Sequence, residues 1–154
     1  MSLIKVEDLG WTYEGAPQPA LRGISFEVER GEFITLMGRT GAGKSTLCRC
    51  LNGLIPRRSR GQMQGRVTVA GLDTAEADLY ETTQRVGMVF QDPETQFIMM
   101  TVEDEIALGL ENRGLHPAAI GSAIREALST VGLPEAYLSK PPTELSGGQK
   151  QRVA

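Results

Sequence analysis

The 154 residues carry 16 Lys and Arg against 19 Asp and Glu, a net charge of -3 that argues against a general nucleic-acid binder. Apolar content of 40% and charged content of 23% belong to a globular chain with a real core, not a disordered one. No stretch approaches the roughly 20 apolar residues that cross a bilayer, and Met1-Ser2-Leu3-Ile4-Lys5 lacks the basic-then-apolar pattern of a secretory signal.

Ile4 and Val6 alternate with Lys5 and Glu7, as Ile24, Phe26 and Val28 do with Ser25, Glu27 and Glu29. Both stretches predict half-buried strands with one polar face. Arg30-Gly31 then turns the chain into Phe33-Ile34-Thr35-Leu36-Met37, apolar on both faces, which predicts a buried parallel strand. That strand runs into Gly38-Arg39-Thr40-Gly41-Ala42-Gly43-Lys44-Ser45, and Leu47, Leu51 and Leu54 recur behind it at helical spacing until Gly53 and Pro56 end the run.

Cys48 and Cys50 lie two apart in this predicted helix and point in different directions, so plain packing in a reducing cytosol is expected rather than a disulfide or metal site. Arg57-Arg58-Ser59-Arg60-Gly61 reads as a solvated basic loop, with a phosphate or membrane contact as the alternative. Val67 and Val69 suggest a short strand, and Val86-Gly87-Met88-Val89-Phe90 a second buried one.

From Gln91 the character becomes helical. Thr101-Val102-Glu103-Asp104 predicts a helix start, with the stripe Val102, Ile106, Leu110 behind it. A longer helix follows, with Ile120, Ile124, Leu128 and Val131 on one face and Gly132 as its stop. His116, beside Pro117, is expected in a connecting loop with an exposed, non-chemical role. Pro141-Pro142 leads into Leu145-Ser146-Gly147-Gly148-Gln149.

The segment from Gly38 to Ser45 is built to hold phosphate. Its three glycines free the backbone to turn successive N–H groups inward. A helix starting at Lys44 adds unpaired N–H groups and roughly half a positive charge. Lys44 is expected to reach the β- and γ-phosphates, Ser45 to ligate Mg²⁺ and Thr46 to donate to the α-phosphate. Gly38, Arg39, Thr40, Gly41, Ala42 and Gly43 complete the cradle. A tight strand-to-helix turn that happens to match is the competing reading, but the motif follows a predicted buried strand and opens a helix, which is the context it requires. Taken alone, it says only that a nucleotide phosphate binds.

Ser146 and Gln149 form a capping-box pattern, yet such a box does not need Gly147 and Gly148, each of which costs a helix about 1 kcal/mol. Close approach by something external, such as a phosphate at the helix N-terminus, accounts for them.

With both motifs in one chain, the whole length resembles the nucleotide-binding domain of an ATP-binding-cassette transporter. The resemblance implies an α/β P-loop NTPase fold: an antiparallel β-subdomain, a partial RecA-like parallel sheet and a helical subdomain. Residues 1–90 would form the β-subdomain and P-loop core, 91–144 the glutamine loop and helical part, and 145–154 the signature and the start of its helix. By the same resemblance, Tyr13 stacks on adenine, with a strand aromatic packed on the sheet as the alternative, and Trp11 is scaffold. Gln91 meets Mg²⁺ and the attacking water and, with Lys44, belongs to the catalytic machinery. Two copies, identical or paralogous, would sandwich ATP, so that Lys44 and Ser45 of one face Ser146, Gly147, Gly148 and Gln149 of the other.

Gln91-Asp92-Pro93-Glu94-Thr95-Gln96-Phe97 and Glu103-Asp104-Glu105-Ile106-Ala107-Leu108-Gly109 resemble the energy-coupling-factor branch, importers of vitamins and transition-metal ions. Phe97, Ile98, Met99 and Met100 then form an apolar cluster. It is either ordinary core or part of a groove, near Gln91 to Met100, that takes a helix of a transmembrane subunit. The expected location is peripheral, on the cytoplasmic face of the membrane.

Full-length members of the family continue past the signature into an apolar strand ending in a Mg²⁺-binding aspartate, then a catalytic glutamate and a histidine. None is present in the 154 residues, so ATP binding without efficient hydrolysis is expected of them alone, together with open apolar surface where the missing strands would sit. Two alternatives remain: a non-catalytic nucleotide-binding module or fragment, and a soluble family member not involved in transport. The short interval between Gln91 and the signature, without sustained heptads, disfavours long-coiled-coil relatives.

Overall fold

The computed structural model describes residues 2–154, and the chain divides into two compact units, Met1–Met88 and Val89–Ala154. The first is organised by a four-stranded antiparallel sheet in the order β2-β1-β3-β4. Its strands are β1 (Ile4–Tyr13), β2 (Leu21–Val28), β3 (Gly61–Val69) and β4 (Leu72–Asp73). Helix α1 (Lys44–Leu51), the single turn α2 (Leu54–Arg57) and the short α3 (Leu79–Thr83) complete it.

The alternation that begins Ile4, Val6 changes phase within β1, where Val6, Leu9 and Trp11 are the buried apolar side chains. The cause is a bulge. Glu7 pairs with Arg66 but Gly10 with Gln64, so three steps on β1 match two on β3, and Asp8 takes φ 48°. Gly65 makes this possible: at φ 73° a Cβ there would lie 2.2 Å from the Glu7 carbonyl oxygen and 2.3 Å from that of Asp8. The shifted register turns Leu9 and Trp11 into one core with Leu21, Leu47, Cys50, Ile55, Val67 and Val69. Trp11 is the scaffold residue expected of it.

The two strands expected at residues 33–37 and 86–90 do not form: neither stretch enters the sheet. A strand exists only when a neighbour accepts from its N–H groups and donates to its C=O groups, and no strand among the described residues does so here. Phe33 is 92% and Met37 84% exposed, so the apolar surface is open, as the sequence led us to expect. It lies on irregular backbone rather than on a parallel sheet.

The second unit is helical. Helix α4 (Val102–Asn112) starts where its sequence indicates, with the Thr101 hydroxyl accepting from the Asp104 N–H at 3.1 Å. Helix α5 (Pro117–Thr130) carries Ile124 and Leu128 inward and ends before Gly132. His116 is its N-cap, its Nδ1 accepting from the Ala118 N–H at 3.4 Å, a structural role with Pro117 at the first helical position. Val102, Leu128, Leu133 and Leu145 form the core. Short 3-10 turns at Pro93–Thr95, Glu135–Tyr137 and Pro142–Glu144 connect the helices and lead to α6 (Gly147–Val153).

Candidate nucleotide site

Residues 29–43 leave the sheet and re-enter regular structure at Lys44. Gly43 stands at the N-cap of α1 with φ 88° and offers no side-chain cap, and the first turn holds no acidic residue. By contrast, Asp78, Thr101, His116 and Ser146 cap α3, α4, α5 and α6 with side-chain acceptors. The N-terminus of α1 therefore keeps its N–H groups and its positive dipole end for an anion. Gly43 is also a point of close approach: a Cβ there would sit 2.6 Å from the Ala20 carbonyl oxygen and 2.9 Å from Leu21 Cδ2. The start of α1 is thereby seated directly against the sheet.

Lys44 folds back along the loop that precedes it. Its Nζ donates to the carbonyls of Gly38 at 2.8 Å and Arg39 at 2.9 Å, and the Ala42 N–H donates to the Arg39 carbonyl at 3.1 Å. The loop is closed around one ammonium at a spot exposed to solvent. Ser45 is exposed on the same turn, and Thr46 is buried beside it. The Thr46 hydroxyl is hydrogen-bonded to that of Tyr13 at 3.1 Å. Tyr13 ends β1 and packs edge-on against Trp11, with ring centroids 5.6 Å apart. Its outer side borders a cavity of about 410 Å³ lined by Thr12, Glu14, Gly15, Gly61 and Gln62 among others. Of the expected site residues, Tyr13, the loop from Gly38 to Gly43, Lys44, Ser45 and Thr46 all belong to this first unit.

Gln91 and Ser146 to Gln149 belong to the second unit. Gln91 is exposed. Leu145 is buried and anchors the signature turn, from which Ser146, Gly147 and Gly148 project into solvent. The capping box is present in full: the Gln149 N–H donates to Ser146 Oγ at 3.4 Å and the Ser146 N–H to Gln149 Oε1 at 2.9 Å. Gln149 Nε2 also donates to the Tyr137 hydroxyl at 2.9 Å. The Gln149 side chain is thus held by Ser146 and Tyr137, which leaves the Ser146 hydroxyl and the backbone N–H groups of Gly147 and Gly148 as the outward-facing donors.

Three polar links were invisible to sequence reading. Lys150 of α6 is ion-paired with Glu94 of the segment after Gln91. Arg152 reaches the carbonyls of Val131 and Gly132, both at 3.3 Å, satisfying groups left over at the end of α5. Glu105 accepts from the N–H groups of Ile98 and Met99. The two that join α6 to distant segments are contacts between residues far apart in sequence, for which no local pattern exists.

The cluster Phe97, Ile98, Met99, Met100 is not core of this unit. Ile98 is 74% and Met100 82% exposed, and with Pro141 and Pro142 the cluster lines a groove of about 280 Å³.

The ABC transporter domain matches residues 21–154. The chain is 44% identical over 153 residues to the energy-coupling factor transporter ATP-binding protein EcfA1 of Lacticaseibacillus paracasei, covering 99% of this chain and 53% of that protein. It is 43% identical over 152 residues to an ABC transporter ATP-binding protein of Methanosarcina acetivorans, covering 99% of this chain and 24% of that one. The chain thus spans between a quarter and about half the length of these relatives. Among solved structures, CbiO1 of Clostridium perfringens, part of the ABC transporter complex CbiONQ, superposes with a TM-score of 0.82 at 32% identity, covering 99% of this chain and 59% of that one. The ATP-binding cassette MJ0796, in a dimeric post-hydrolysis state with ADP and Pi, gives 0.80 at 27% identity, covering 97% and 66%. The fold is that of a P-loop NTPase with an antiparallel sheet, and the chain belongs to the ABC transporter family.

Proposed function

We propose that this chain is the ATP-binding portion of an importer of the energy-coupling-factor type, for vitamins or transition-metal ions. The observation that carries the reading is the uncapped start of α1 with the Lys44 ammonium held inside the loop before it. On arrival of a triphosphate, the lysine exchanges two backbone carbonyls for β- and γ-phosphate oxygens. The N–H groups of Gly41, Gly43, Lys44, Ser45 and Thr46 close on the same anion.

The donor set fits Mg²⁺. Ser45 offers one exposed hydroxyl oxygen, and this ion takes most of its ligands from phosphates and water rather than from an all-protein cage. Ser45 would hold such an ion, which would supply charge compensation to a bound triphosphate. Gln91 is assigned to orienting the attacking water and contacting the ion, and Tyr13 to stacking on the base.

The signature serves a second copy or a paralogue. A Cβ on Gly147 or Gly148 would meet nothing within 4 Å in this chain, and neither glycine has a positive φ. Nothing inside the molecule demands them, which supports a backbone kept bare for an incoming phosphate. That CbiO1 is part of CbiONQ and MJ0796 a dimer supports an ATPase pair with membrane partners here. No helix of the described residues is long and apolar enough to cross a membrane. A transmembrane subunit docking at the Phe97–Met100 groove, on the cytoplasmic face, would supply the translocation path.

Reconstitution of the protein containing this chain with its membrane subunit tests the reading. Uptake into vesicles driven by Mg·ATP and abolished by Lys44→Ala is expected. ATP binding with no effect on any transport activity would instead favour a soluble ATPase role.

A further inference from the structure

The hydroxyl of Tyr13 has no part in stacking, yet it makes a polar contact that joins the sheet to the start of α1 at the site: 3.1 Å to Thr46 Oγ1. The two ends of this link are differently held. Tyr13 closes β1, where its backbone pairs with Gly61, and its ring rests edge-on against Trp11, itself fully buried. Thr46 lies in the first turn of α1, buried, two residues beyond Lys44. A hydroxyl oxygen can accept from one neighbour while donating its proton to another. If Tyr13 donates to Thr46 Oγ1, the Thr46 proton is directed away from the sheet and remains free for an anion at the loop.

We infer that Tyr13 is a positioning residue for the phosphate end of the site, acting through Thr46, in addition to its ring meeting the base. The inference rests on the reading of this loop as the triphosphate cradle and of Tyr13 as the base platform. The ring and the hydroxyl then have separable roles. The ring contributes only when a base is present. The hydroxyl orients Thr46 and contributes whether or not a base is attached, because it sets the direction of a donor to phosphate. It also makes the two ends of the nucleotide site one mechanical unit, with the Trp11 edge fixing the ring, the ring fixing the hydroxyl and the hydroxyl fixing the donor.

Calorimetric titration with Mg·ATP and with magnesium tripolyphosphate, which lacks a base, separates these roles. Tyr13→Phe keeps the ring against Trp11 and removes only the hydroxyl; it is expected to weaken both ligands by the same factor, about three- to ten-fold, the range for one hydrogen bond. Thr46→Val is expected to weaken both ligands at least as much, and adding Tyr13→Phe to it to cost nothing further. Thr46→Ser, which keeps the hydroxyl, should recover most of the affinity that Thr46→Val loses. Tyr13→Leu should lose the same factor on tripolyphosphate and a larger one on Mg·ATP.

Unchanged binding of both ligands by Tyr13→Phe would overturn the inference and leave the stacking role intact. So would a full additional loss when Tyr13→Phe is placed on Thr46→Val. If Tyr13→Leu weakens Mg·ATP no more than tripolyphosphate, the base does not meet this ring, and the reading of the site fails while the hydroxyl link stands.

Discussion

Glu105 Oε2 accepts hydrogen bonds from the backbone N–H groups of Ile98 and Met99, at 2.9 and 2.8 Å. One carboxylate on α4 thereby fixes the exposed apolar segment that follows Gln91. Hydrogen bonds to a charged acceptor are the stronger kind, worth about 1.5–3 kcal/mol each before solvent screening. Glu105→Ala is expected to release the segment, seen as loss of amide-exchange protection at Ile98 and Met99 and faster proteolysis near Met100. Glu105→Gln retains an acceptor oxygen and should keep most of the protection.

Gly65 and Gly71 both have positive φ, 73° and 82°, but only Gly65 is crowded. An alanine at Gly71 meets nothing within 4 Å and should cost about 1 kcal/mol in the left-handed region. An alanine at Gly65 must displace two backbone carbonyls and undo the bulge that faces Leu9 and Trp11 inward. A loss of about 3 kcal/mol or more, or failure to fold, is expected. Denaturant midpoints of the two variants give the comparison.

The two cysteines differ in surroundings. Cys48 is exposed and Cys50 buried, neither in a disulfide. Desolvation pushes the Cys50 thiol up from 9.0 to about 12, because burial disfavours the thiolate. A thiol reagent should modify Cys48 in the native protein and reach Cys50 only on unfolding. The unfolded thiol ionises first, so the Cys50 contribution is intact below about pH 9 and is lost as pH rises toward 12. Stability in that window should therefore fall less steeply in Cys50→Ala than in the parent, measured as the pH dependence of the urea midpoint.

The apolar groove gives a prediction about assembly. Met99→Glu, and the more exposed Met100→Glu, should abolish co-purification with the membrane subunit while leaving Mg·ATP affinity within about two-fold, since neither residue belongs to the nucleotide loop. Assembly surviving in both variants would place the membrane contact elsewhere.

What could be read from the sequence was local. Thr101 announced α4, Gly132 the end of α5, and Ser146 with Gln149 the capping box, because each depends on residues three or four apart. The glycine-rich turn into α1 was legible for the same reason. The strands at residues 33–37 and 86–90 were read from apolar composition, but a strand is completed by its neighbours, and no strand among the described residues pairs with either. The bulge at Asp8 depends on Gly65 across the sheet, and the Glu94–Lys150 pair joins distant segments. Tyr13 was picked out for its ring, whereas its hydroxyl contact with Thr46 required the packing of α1 against the sheet to be known.

Equilibrium titration of Mg·ATP against the parent and Lys44→Ala decides whether the loop ending at Lys44 holds the phosphates of ATP. Saturable one-to-one binding by the parent is expected, and at least a hundred-fold weaker binding, about 2.7 kcal/mol, by Lys44→Ala. No binding by the folded parent, or equal affinities for the two proteins, would contradict it.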